Sequence, residues 1–243
     1  MERIVEALEL TATDQVVEVG PGLGALTVEL ASRARAVVGV EIDPACVKAL
    51  GLVLRDHSNV RIVEANILQA PVADFLLAGY RVAGNVPYNL TGALFTHLLE
   101  QPRPPRRIDL LVQQEVAERI VARPGGWSLA TLGVRVYGQP ELVLRVPRTA
   151  FLPQPRVDSA LVRIIPDTDP ALPKADLPSF FRFVTPFFQA RRKQLPFVLS
   201  RKLGVSGVEA RARLTVIDID PARRPETLSL EEWRRFFESE RGR

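Results

Sequence analysis

The sequence predicts an α/β fold: a mostly parallel sheet with an antiparallel hairpin at one edge, followed by a small C-terminal all-helical domain. Short β-branched runs alternate with helical patterns from the start of the chain, which is typical of a parallel sheet with helices on both faces. Two later strands have no room for a helix between them. After Pro166 the strand pattern ends and helical patterns continue.

Seven apolar runs carry the strand prediction. Five of them, each followed by a segment long enough for a crossover helix, are "QVVEVG", "AVVGVEI", "VRIVEAN", "YRVAGNV" and "IDLLVQQ". The runs "ELVLRVP" and "SALVRII" are joined only by "RTAFLPQPRVD", so we expect them to pair antiparallel. The Pro-rich linker "DTDPALPKADLP" sets a boundary near residue 167. We therefore predict one domain over residues 1–166 and a helical domain over residues 167–243.

The composition excludes several classes of protein. No apolar run approaches the roughly 20 residues of a membrane span, and the N-terminus lacks the apolar stretch of a signal peptide. Cys46 is the only cysteine, and His57 and His97 are the only histidines. A disulfide, a zinc site and a Ser-His-Asp apparatus are therefore not expected. We predict a cytoplasmic protein without a metal.

Charge is distributed unevenly along the chain. Residues 1–100 contain 7 Lys or Arg and 12 Asp or Glu, a net charge of −5. Residues 101–243 contain 25 and 16, a net charge of +9. This asymmetry predicts that the C-terminal half binds a polyanion. The alternative is an Arg-rich composition without such a partner.

A glycine loop follows the first predicted strand. In "VVEVGPGLGALTVEL" the strand leads into Gly20, Gly22 and Gly24 and then into a helix. Glycines permit a tight turn and a close approach of a ligand to the backbone. Glu41 ends the second strand, where an acid can bind both ribose hydroxyls of a nucleoside. The pattern predicts a nucleoside cofactor, and its alternative is a tight turn with an exposed acid.

Two features favour S-adenosylmethionine over NAD as this cofactor. Glu18 precedes the glycines within the strand, where an acid can meet a cationic amino-acid group. The antiparallel edge pair also departs from the purely parallel dinucleotide-binding sheet. On these residues alone a dinucleotide cofactor stays open.

The stretch "AGNVPYNLT", residues 83 to 91, places an amide, a proline and an aromatic ring where a strand meets a helix. The exocyclic amine of a base is a poor nucleophile because its lone pair is delocalised, so a methyltransferase must supply acceptors for its N–H groups. Asn85 would supply a side-chain acceptor, and Val86 a carbonyl held in place by Pro87. Tyr88 would stack on a base that has left its helix. The alternative is a turn whose Asn caps the next helix.

Six segments occur in the order found in one known family: "VEVGPGLGALT", "GVEID", "GNVPYNL", "LVQQEVAERIVA", "VPRTAFLPQPRVDSALVRI" and "QARRKQL". Together they resemble the ribosomal RNA small-subunit adenine dimethyltransferases, which include the bacterial kasugamycin-sensitivity enzyme and its eukaryotic counterparts. The resemblance implies a Rossmann-like, S-adenosylmethionine-dependent enzyme, acting as a monomer in ribosome biogenesis. Such an enzyme places two methyl groups on N6 of each of two adjacent adenosines near the 3′ end of 16S rRNA, in the 30S subunit.

The residue patterns, the charge distribution and the resemblance together assign roles to residues. The cofactor would be held by Glu18, Gly20, Gly22, Gly24, Glu41, Ile42, Asn66 and Asn85. The catalytic group would be Asn85, Val86, Pro87, Tyr88 and Phe151, with Phe151 as a second aromatic against the target adenine or, alternatively, a core side chain. Gln113, Gln114 and Glu115 would line the substrate cleft or cap a helix. RNA would be bound by Arg191, Arg192, Lys193, Arg201 and Lys202 on the helical domain and by Arg103, Arg106 and Arg107 near the cleft edge, the alternative being a solvated helix face.

Two departures from the family pattern lead to alternative functions. Asn66 stands where the family usually has an Asp that binds the adenine amino group of the cofactor. Family members also begin with a Gly-Gln-x-Phe-Leu segment, whereas this chain begins at "MERIVEALEL", so we expect a misplaced start or a shortened relative. The alternatives are a ribosome-assembly or nucleic-acid-binding factor with little or no activity, and a large-subunit rRNA adenine methyltransferase, which "QARRKQL" disfavours.

Overall fold

The chain forms two compact units in a computed structural model that describes residues 1–77, 79–86, 90–168, 170–190 and 192–241. The first unit comprises Met1–Glu118 and Gly138–Pro166, and the second comprises Arg119–Tyr137 and Asp167–Arg243. One junction coincides with the sequence-based boundary near residue 167. The structure differs over residues 119–137, which the sequence leaves with the first domain. They join the second unit, where the N–H of Gly125 donates to the carbonyl of Glu226 at 2.7 Å.

Seven strands form one sheet in the first unit. They are β1 (Gln15–Val19), β2 (Ala36–Glu41), β3 (Val60–Glu64), β4 (Arg81–Asn85), β5 (Arg107–Gln113), β6 (Gly138–Val146) and β7 (Ser159–Pro166). Their order across the sheet is β3-β2-β1-β4-β5-β7-β6. Neighbours among β1 to β5 pair parallel, and β7 pairs antiparallel with both β5 and β6. The predicted α/β class, the mostly parallel sheet and the antiparallel hairpin at its edge are all confirmed.

Helices alternate with the parallel strands, with one exception. The first unit contains α1 (Glu2–Ala7), α2 (Ala25–Ala31), α3 (Pro44–Val53), α4 (Thr91–Leu99) and the start of α5 (Gln114–Ile120). The sequence predicts a crossover helix between β3 and β4, but the described part of residues 65–80 contains only the 3-10 turn Val72–Asp74. Pro71, which lacks an N–H, and Gly79, at φ +84°, interrupt this segment and explain the difference.

The second unit is built around aromatic side chains. Its helices are α6 (Leu129–Arg135), α7 (Leu177–Gln189), α8 (Leu195–Leu203), α9 (Gly207–Val216) and α10 (Leu230–Arg241). The rings of Phe183 and Phe236 lie 5.0 Å apart and nearly perpendicular, and those of Phe187 and Trp233 lie 5.4 Å apart. Edge-to-face pairs of this kind add about 0.5–1.5 kcal/mol each beyond their buried area. The phenylalanines of "SFFRFVTPFF" therefore supply the core that joins α7 to α10.

A cluster of buried charges lies at the amino edge of the sheet. Asp109 of β5 accepts hydrogen bonds from Arg107 Nε at 2.6 Å and from Arg163 Nε at 2.8 Å. Arg81 of β4 pairs with Asp14 at 2.9 Å, and the side chains of Asp14 and Asp109 are only 2% exposed. Burial alone would raise the pKa of Asp14, but the N–H of Thr11 and the guanidinium of Arg81 together lower it.

The same guanidinium groups anchor α1. Arg107 donates to the carbonyls of Ala7 and Leu8 at 3.1 and 2.9 Å, and Arg81 also donates to the carbonyl of Leu8. These carbonyls lie at the C-terminal end of the helix, where cations are favourable. The charge cluster thus fixes α1 against β4, β5 and β7.

Candidate active site

The carboxyl edge of the parallel strands carries several of the residues that the sequence assigns to cofactor binding. Gly20 follows β1, Glu41 ends β2, Asn66 follows β3 and Asn85 ends β4. In open α/β sheets, ligands bind outside the carboxyl ends of the strands. Four segments separated along the chain therefore end at the edge where a ligand site is expected.

The glycine loop is shaped by backbone conformations that favour glycine. Gly20, Gly22 and Gly24 have φ values of +65°, +58° and +88°, and Gly24 is the N-cap of α2. A Cβ atom placed on Gly20 or Gly22 would meet no atom within 4 Å. Their backbone faces therefore open onto the carboxyl edge, and a side chain there would fill the space through which a ligand approaches.

Glu41 ties the end of β2 to the glycine loop. Its Oε2 accepts from the N–H of Gly22 at 2.9 Å. Its Oε1 accepts from the N–H groups of Ile42 at 2.8 Å and Asp43 at 3.0 Å. The carboxylate therefore lies beside the loop, in the position that the sequence assigns to a ribose-binding acid.

Asn66 and Ile42 flank this acid. The N–H of Leu68 donates to Oδ1 of Asn66 at 3.0 Å. This oxygen keeps a second acceptor position, and Nδ2 remains as a donor. The side chain of Ile42 is 64% exposed at the end of β2, which gives the edge an apolar surface suited to a flat heterocycle.

Glu18 is a buried acid without a complete set of partners. It is 1% exposed in β1, and among the described residues its Oε2 has no hydrogen-bond partner. Burial raises the pKa of Glu18 to about 7, the nearby hydroxyl of Thr27 opposes this rise, and the charge of Glu41 adds to it. The Thr27 hydroxyl, also buried, makes no hydrogen bond of ordinary geometry in the described part of the chain. A cationic group placed beside Glu18 would favour its ionised form.

Asn85 and Phe151 border the same cavity. Asn85 is an exposed residue at the end of β4, and Phe151 follows the 3-10 turn Arg148–Ala150 between β6 and β7. Both line a space of about 260 Å³, together with Ile4 of α1 and Leu111 of β5. Phe151 also packs against a hydrophobic cluster of the first unit, which is the contact expected of a core side chain.

The turn after Asn85 is described only in part. Val86 is buried, and its N–H donates to the carbonyl of Leu111 at 3.1 Å. That bond fixes the backbone just beyond β4. The predicted catalytic residues Pro87 and Tyr88 lie outside the described residues.

A polar cleft of about 470 Å³ lies at the carboxyl end of β5. Gln113, Gln114 and Glu115 line it, and Gln114 and Glu115 also begin α5. Arg148 and Arg156 also line it, and the sequence analysis did not single them out. Their position on either side of Phe151, in the connection between β6 and β7, is the sequence feature that could have indicated them.

The structure corrects the role of Arg106 and Arg107. The sequence places them near the cleft edge as RNA-binding residues, but they lie at the amino edge, at the opposite ends of the strands. Arg106 pairs with Asp14, and Arg107, only 14% exposed, pairs with Asp109 and with Glu9 at 2.7 Å. Arg107 is therefore part of the buried charge cluster, whereas Arg106, whose side chain is 54% exposed, reaches Asp14 from the surface.

Arg103 is also engaged locally, whereas four cations of the second unit have exposed side chains. Arg103 donates to the carbonyl of Ala73 and lies 3.4 Å from Asp74. The exposed residues are Arg192, Lys193, Arg201 and Lys202. Arg192 and Lys193 lie between α7 and α8 and not within a helix, and Arg191 lies outside the described residues.

The described residues contain neither a membrane-spanning helix nor a metal-binding cluster. No helix there is long and apolar enough to cross a membrane. No group of three or more His, Cys, Asp or Glu among the described residues is arranged to hold a metal ion.

The sheet order, the glycine loop beside an acid and the amide at the end of β4 define the class of Rossmann-like methyltransferases. Within that class, the family model described as "Ribosomal RNA adenine dimethylase" matches residues 1–240, and the chain belongs to this family. It is an S-adenosylmethionine-dependent rRNA methyltransferase, as the sequence resemblance implies.

Curated relatives match almost the whole chain. A protein of Dehalococcoides mccartyi (strain CBDB1) is 40% identical over 238 residues, which are 97% of this chain and 82% of the relative. A protein of Moorella thermoacetica is 40% identical over 246 residues, 96% of this chain and 85% of the relative. Both are named "Ribosomal RNA small subunit methyltransferase A".

Two solved structures share the fold over both units. The 23S rRNA methyltransferase ErmE is 32% identical, with a TM-score of 0.75 over 98% of this chain and 95% of its own. A dimethyladenosine transferase from Plasmodium falciparum is 21% identical, with a TM-score of 0.80 over 97% and 92%. At 21% identity, the similarity to the Plasmodium falciparum structure supports the fold and not the function.

The residues at the carboxyl edge fit S-adenosylmethionine. The glycine loop offers open backbone, Glu41 offers carboxylate oxygens, and Glu18 offers a buried oxygen that no described group hydrogen-bonds. These groups match a nucleoside that carries a cationic amino acid. When bound, the cofactor supplies an electrophilic methyl group.

Proposed function

We propose that the chain methylates N6 of two adjacent adenosines near the 3′ end of 16S rRNA during ribosome biogenesis. The observation that carries this proposal is the cavity shared by Asn85 and Phe151 at the sheet edge that also holds the glycine loop. The relatives named for the small subunit, at 40% identity over nearly the whole chain, support the choice of RNA.

Asn85 is proposed to accept an N–H of the target amine. Its side chain is exposed at the end of β4, and the strand pairing of Asn85 with Leu111 fixes its backbone. An acceptor in a fixed position stabilises the pyramidal nitrogen, whose lone pair is free to attack the methyl group. Asn85 therefore does not have to remove a proton before the attack. The carbonyl of Val86 is proposed as the second acceptor.

Aromatic rings are proposed to hold the flipped adenine. Phe151 borders the cavity beside Asn85. Tyr88, which lies outside the described residues, is proposed as the second stacking ring. Stacking is worth about 1–3 kcal/mol per base and tolerates any base. Selection of adenine would then rest on acceptors for its amino group.

Two alternatives remain as outcomes of experiment. A large-subunit substrate is the alternative suggested by the likeness to a 23S rRNA methyltransferase. A binding factor without methyl transfer is the other. The proposal also includes a monomer in the cytoplasm with the 30S subunit as partner, and the names of the small-subunit relatives support this choice of partner.

Subunit selectivity tests the proposed function. Small and large subunits that lack their adenine methylation would be incubated with the chain and labelled S-adenosylmethionine. We expect label in 16S rRNA, and reverse transcription should stop at two adjacent dimethylated adenosines. Label confined to 23S rRNA would establish the first alternative, and saturable subunit binding without label would establish the second.

Glu41→Ala is expected to weaken binding of S-adenosylhomocysteine by roughly 1–3 kcal/mol, as for the loss of a charged hydrogen-bond partner. The change removes the proposed ribose contact and also releases Gly22, whose N–H it holds at 2.9 Å. Isothermal calorimetry on the parent and the variant measures the difference.

Glu29→Ala is the matched control for this measurement. Glu29 lies on α2 in an exposed pair with Arg33, so the same charge is lost away from the sheet edge, and affinity should not change. Equal weakening in both variants would remove Glu41 from the site. NADH binding more tightly than S-adenosylhomocysteine would sink the cofactor assignment.

Replacing Arg192 and Lys193 with alanine is expected to flatten the salt dependence of RNA binding. Each lost phosphate contact reduces the slope of log affinity against log salt by about 0.7 to 0.9. Both side chains are exposed. The measurement is a titration of undermethylated small subunits at several salt concentrations.

Arg234→Ala combined with Arg241→Ala removes the same charge as a control. Both arginines lie on α10 and are already paired, Arg234 with Glu231 at 2.7 Å and Arg241 with Asp176 at 2.5 Å. Their loss should leave the slope unchanged. If the Arg192 and Lys193 variant also kept the parent slope, those residues would be only a solvated surface.

A further inference from the structure

A basic cleft of about 570 Å³ lies wholly within the second unit. It is formed by the segment before α8, one side of α8, the start of α9 and the residue that precedes the 3-10 turn Pro225–Thr227. Its cationic lining residues are Arg192, Lys193, Arg211 and Arg224. The described lining contains no Asp or Glu.

The four cations of this cleft are free of carboxylate partners within the described part of the chain. Other arginines of the same unit are paired: Arg213 lies 2.6 Å from Glu209 and 2.9 Å from Glu240, and Arg223 pairs with Glu232. The carboxylate of Glu209, in the first turn of α9, is thus already engaged. The positive charge of the cleft is left for an external anion.

An exposed aromatic ring, Phe197, lies in the same cleft. It is 39% exposed, whereas the phenylalanines of α7 and α10 that form the core, such as Phe187 and Phe236, are buried. Lys193 Nζ and Arg201 Cζ lie 5.1 and 4.6 Å from the centre of the Phe197 ring. These contacts hold the ring beside the cations, and both a phenyl ring and a guanidinium plane are surfaces on which bases stack.

The start of α9 gives the cleft an open backbone surface. Gly207 opens this ten-residue helix and lines the cleft, and a Cβ atom on it would meet nothing within 4 Å. The Ser206 hydroxyl accepts from the N–H of Glu209 at 3.1 Å, so this helix start offers accessible backbone at Gly207 while its cap is already filled. Together with the four cations and the ring, this surface suits a ligand that is both anionic and planar.

We infer that the cleft binds an unpaired nucleotide of an RNA strand, with its base stacked on Phe197. Its flanking phosphates lie between Arg192 and Lys193 on one side and Arg211 and Arg224 on the other. This site rests on the proposed function only in that rRNA supplies the strand. An acidic peptide would satisfy the cations but would offer no ring to Phe197.

The experiment compares Phe197→Leu with the parent full-length chain in binding to a 12-nucleotide single-stranded oligoadenylate. Affinity should fall by about 5- to 150-fold, the change that corresponds to about 1–3 kcal/mol for one stacked base. Heparin, a polyanion without bases, should bind both chains equally, and so should a blunt RNA duplex. Arg211→Ala with Arg224→Ala should instead weaken both oligoadenylate and heparin and flatten both salt slopes.

Phe75→Leu is the matched control, because Phe75 in the first unit also has an arginine, Arg61, 5.7 Å from its ring centre. That variant should bind the oligonucleotide as the parent does. Phe197→Trp should retain affinity and report stacking by fluorescence quenching, since Trp127 and Trp233 are 3% and 0% exposed. Adenosine monophosphate should bind at least tenfold more weakly than the oligonucleotide.

Several results would overturn the site. Unchanged oligonucleotide affinity in Phe197→Leu would do so, as would an equal loss for heparin or adenosine monophosphate binding as tightly as the strand. These results are independent of methyl transfer. Phe197-dependent binding without transfer to 16S rRNA would overturn the proposed function alone, and transfer without Phe197-dependent binding would overturn the cleft alone.

Discussion

Asn85→Ala is expected to reduce methyl transfer to undermethylated small subunits by about 100- to 1000-fold, the usual cost of removing one preorganised polar group from a transition state. The amide is used mainly as the amine becomes pyramidal, so RNA affinity should persist while turnover collapses. Because the side chain is exposed and ends a strand, its removal should leave the sheet intact. Single-turnover transfer and equilibrium binding to the same subunits measure the two effects separately.

Asn85→Asp is the informative partner to this variant. The carboxylate keeps an acceptor at the same position, so it should retain more activity than alanine does. Near-normal turnover in Asn85→Ala would remove the amide from the mechanism. Equal loss of RNA affinity and turnover would show that Asn85 acts in binding and not in the chemical step.

Asp109→Ala is expected to lower the free energy of unfolding by about 3–5 kcal/mol, because breaking a buried ion pair leaves the partner charge uncompensated. Asp109 accepts from Arg107 at 2.6 Å and from Arg163 at 2.8 Å, and both arginines are nearly buried, at 14% and 11% exposure. Their remaining carboxylate partner, Glu9, is itself 62% exposed. Urea unfolding followed by circular dichroism measures the change.

Asp74→Ala is the control for the stability measurement. Asp74 faces Arg103 at 3.4 Å in an exposed pair, and such pairs contribute about 0–1 kcal/mol. A loss of stability no greater in Asp109→Ala than in Asp74→Ala would mean that the cluster at the amino edge does not hold the sheet to α1.

Local sequence patterns were enough to predict most of the fold and the edge of the sheet where the cofactor is expected. The β-branched runs became strands because each is flanked by turn residues, and the glycines of the loop follow β1 directly. Glu41 and Asn85 could be placed because strand order in an alternating α/β chain brings strand ends to one edge. The antiparallel hairpin followed from a connection too short for a helix.

Ion pairs between residues far apart in the chain could not be predicted from local sequence patterns. Arg106 finds its partner, Asp14, 92 positions away, and Arg81 finds the same carboxylate 67 positions away. No spacing rule signals such pairs, so Arg106 and Arg107 were assigned to RNA on charge alone. The cleft around Phe197 was missed for a similar reason, because it joins side chains from the start of α8, the middle of α9 and the loop before α10.

A crystal structure with S-adenosylhomocysteine tests the central claim most directly, because that claim places cofactor and target base at one sheet edge. The expected result is a ribose with both hydroxyls within about 3 Å of Glu41. Its sulfur should face the cavity bordered by Asn85 and Phe151. A ligand bound away from the glycine loop, or bound there with its sulfur directed away from Asn85, would contradict the account.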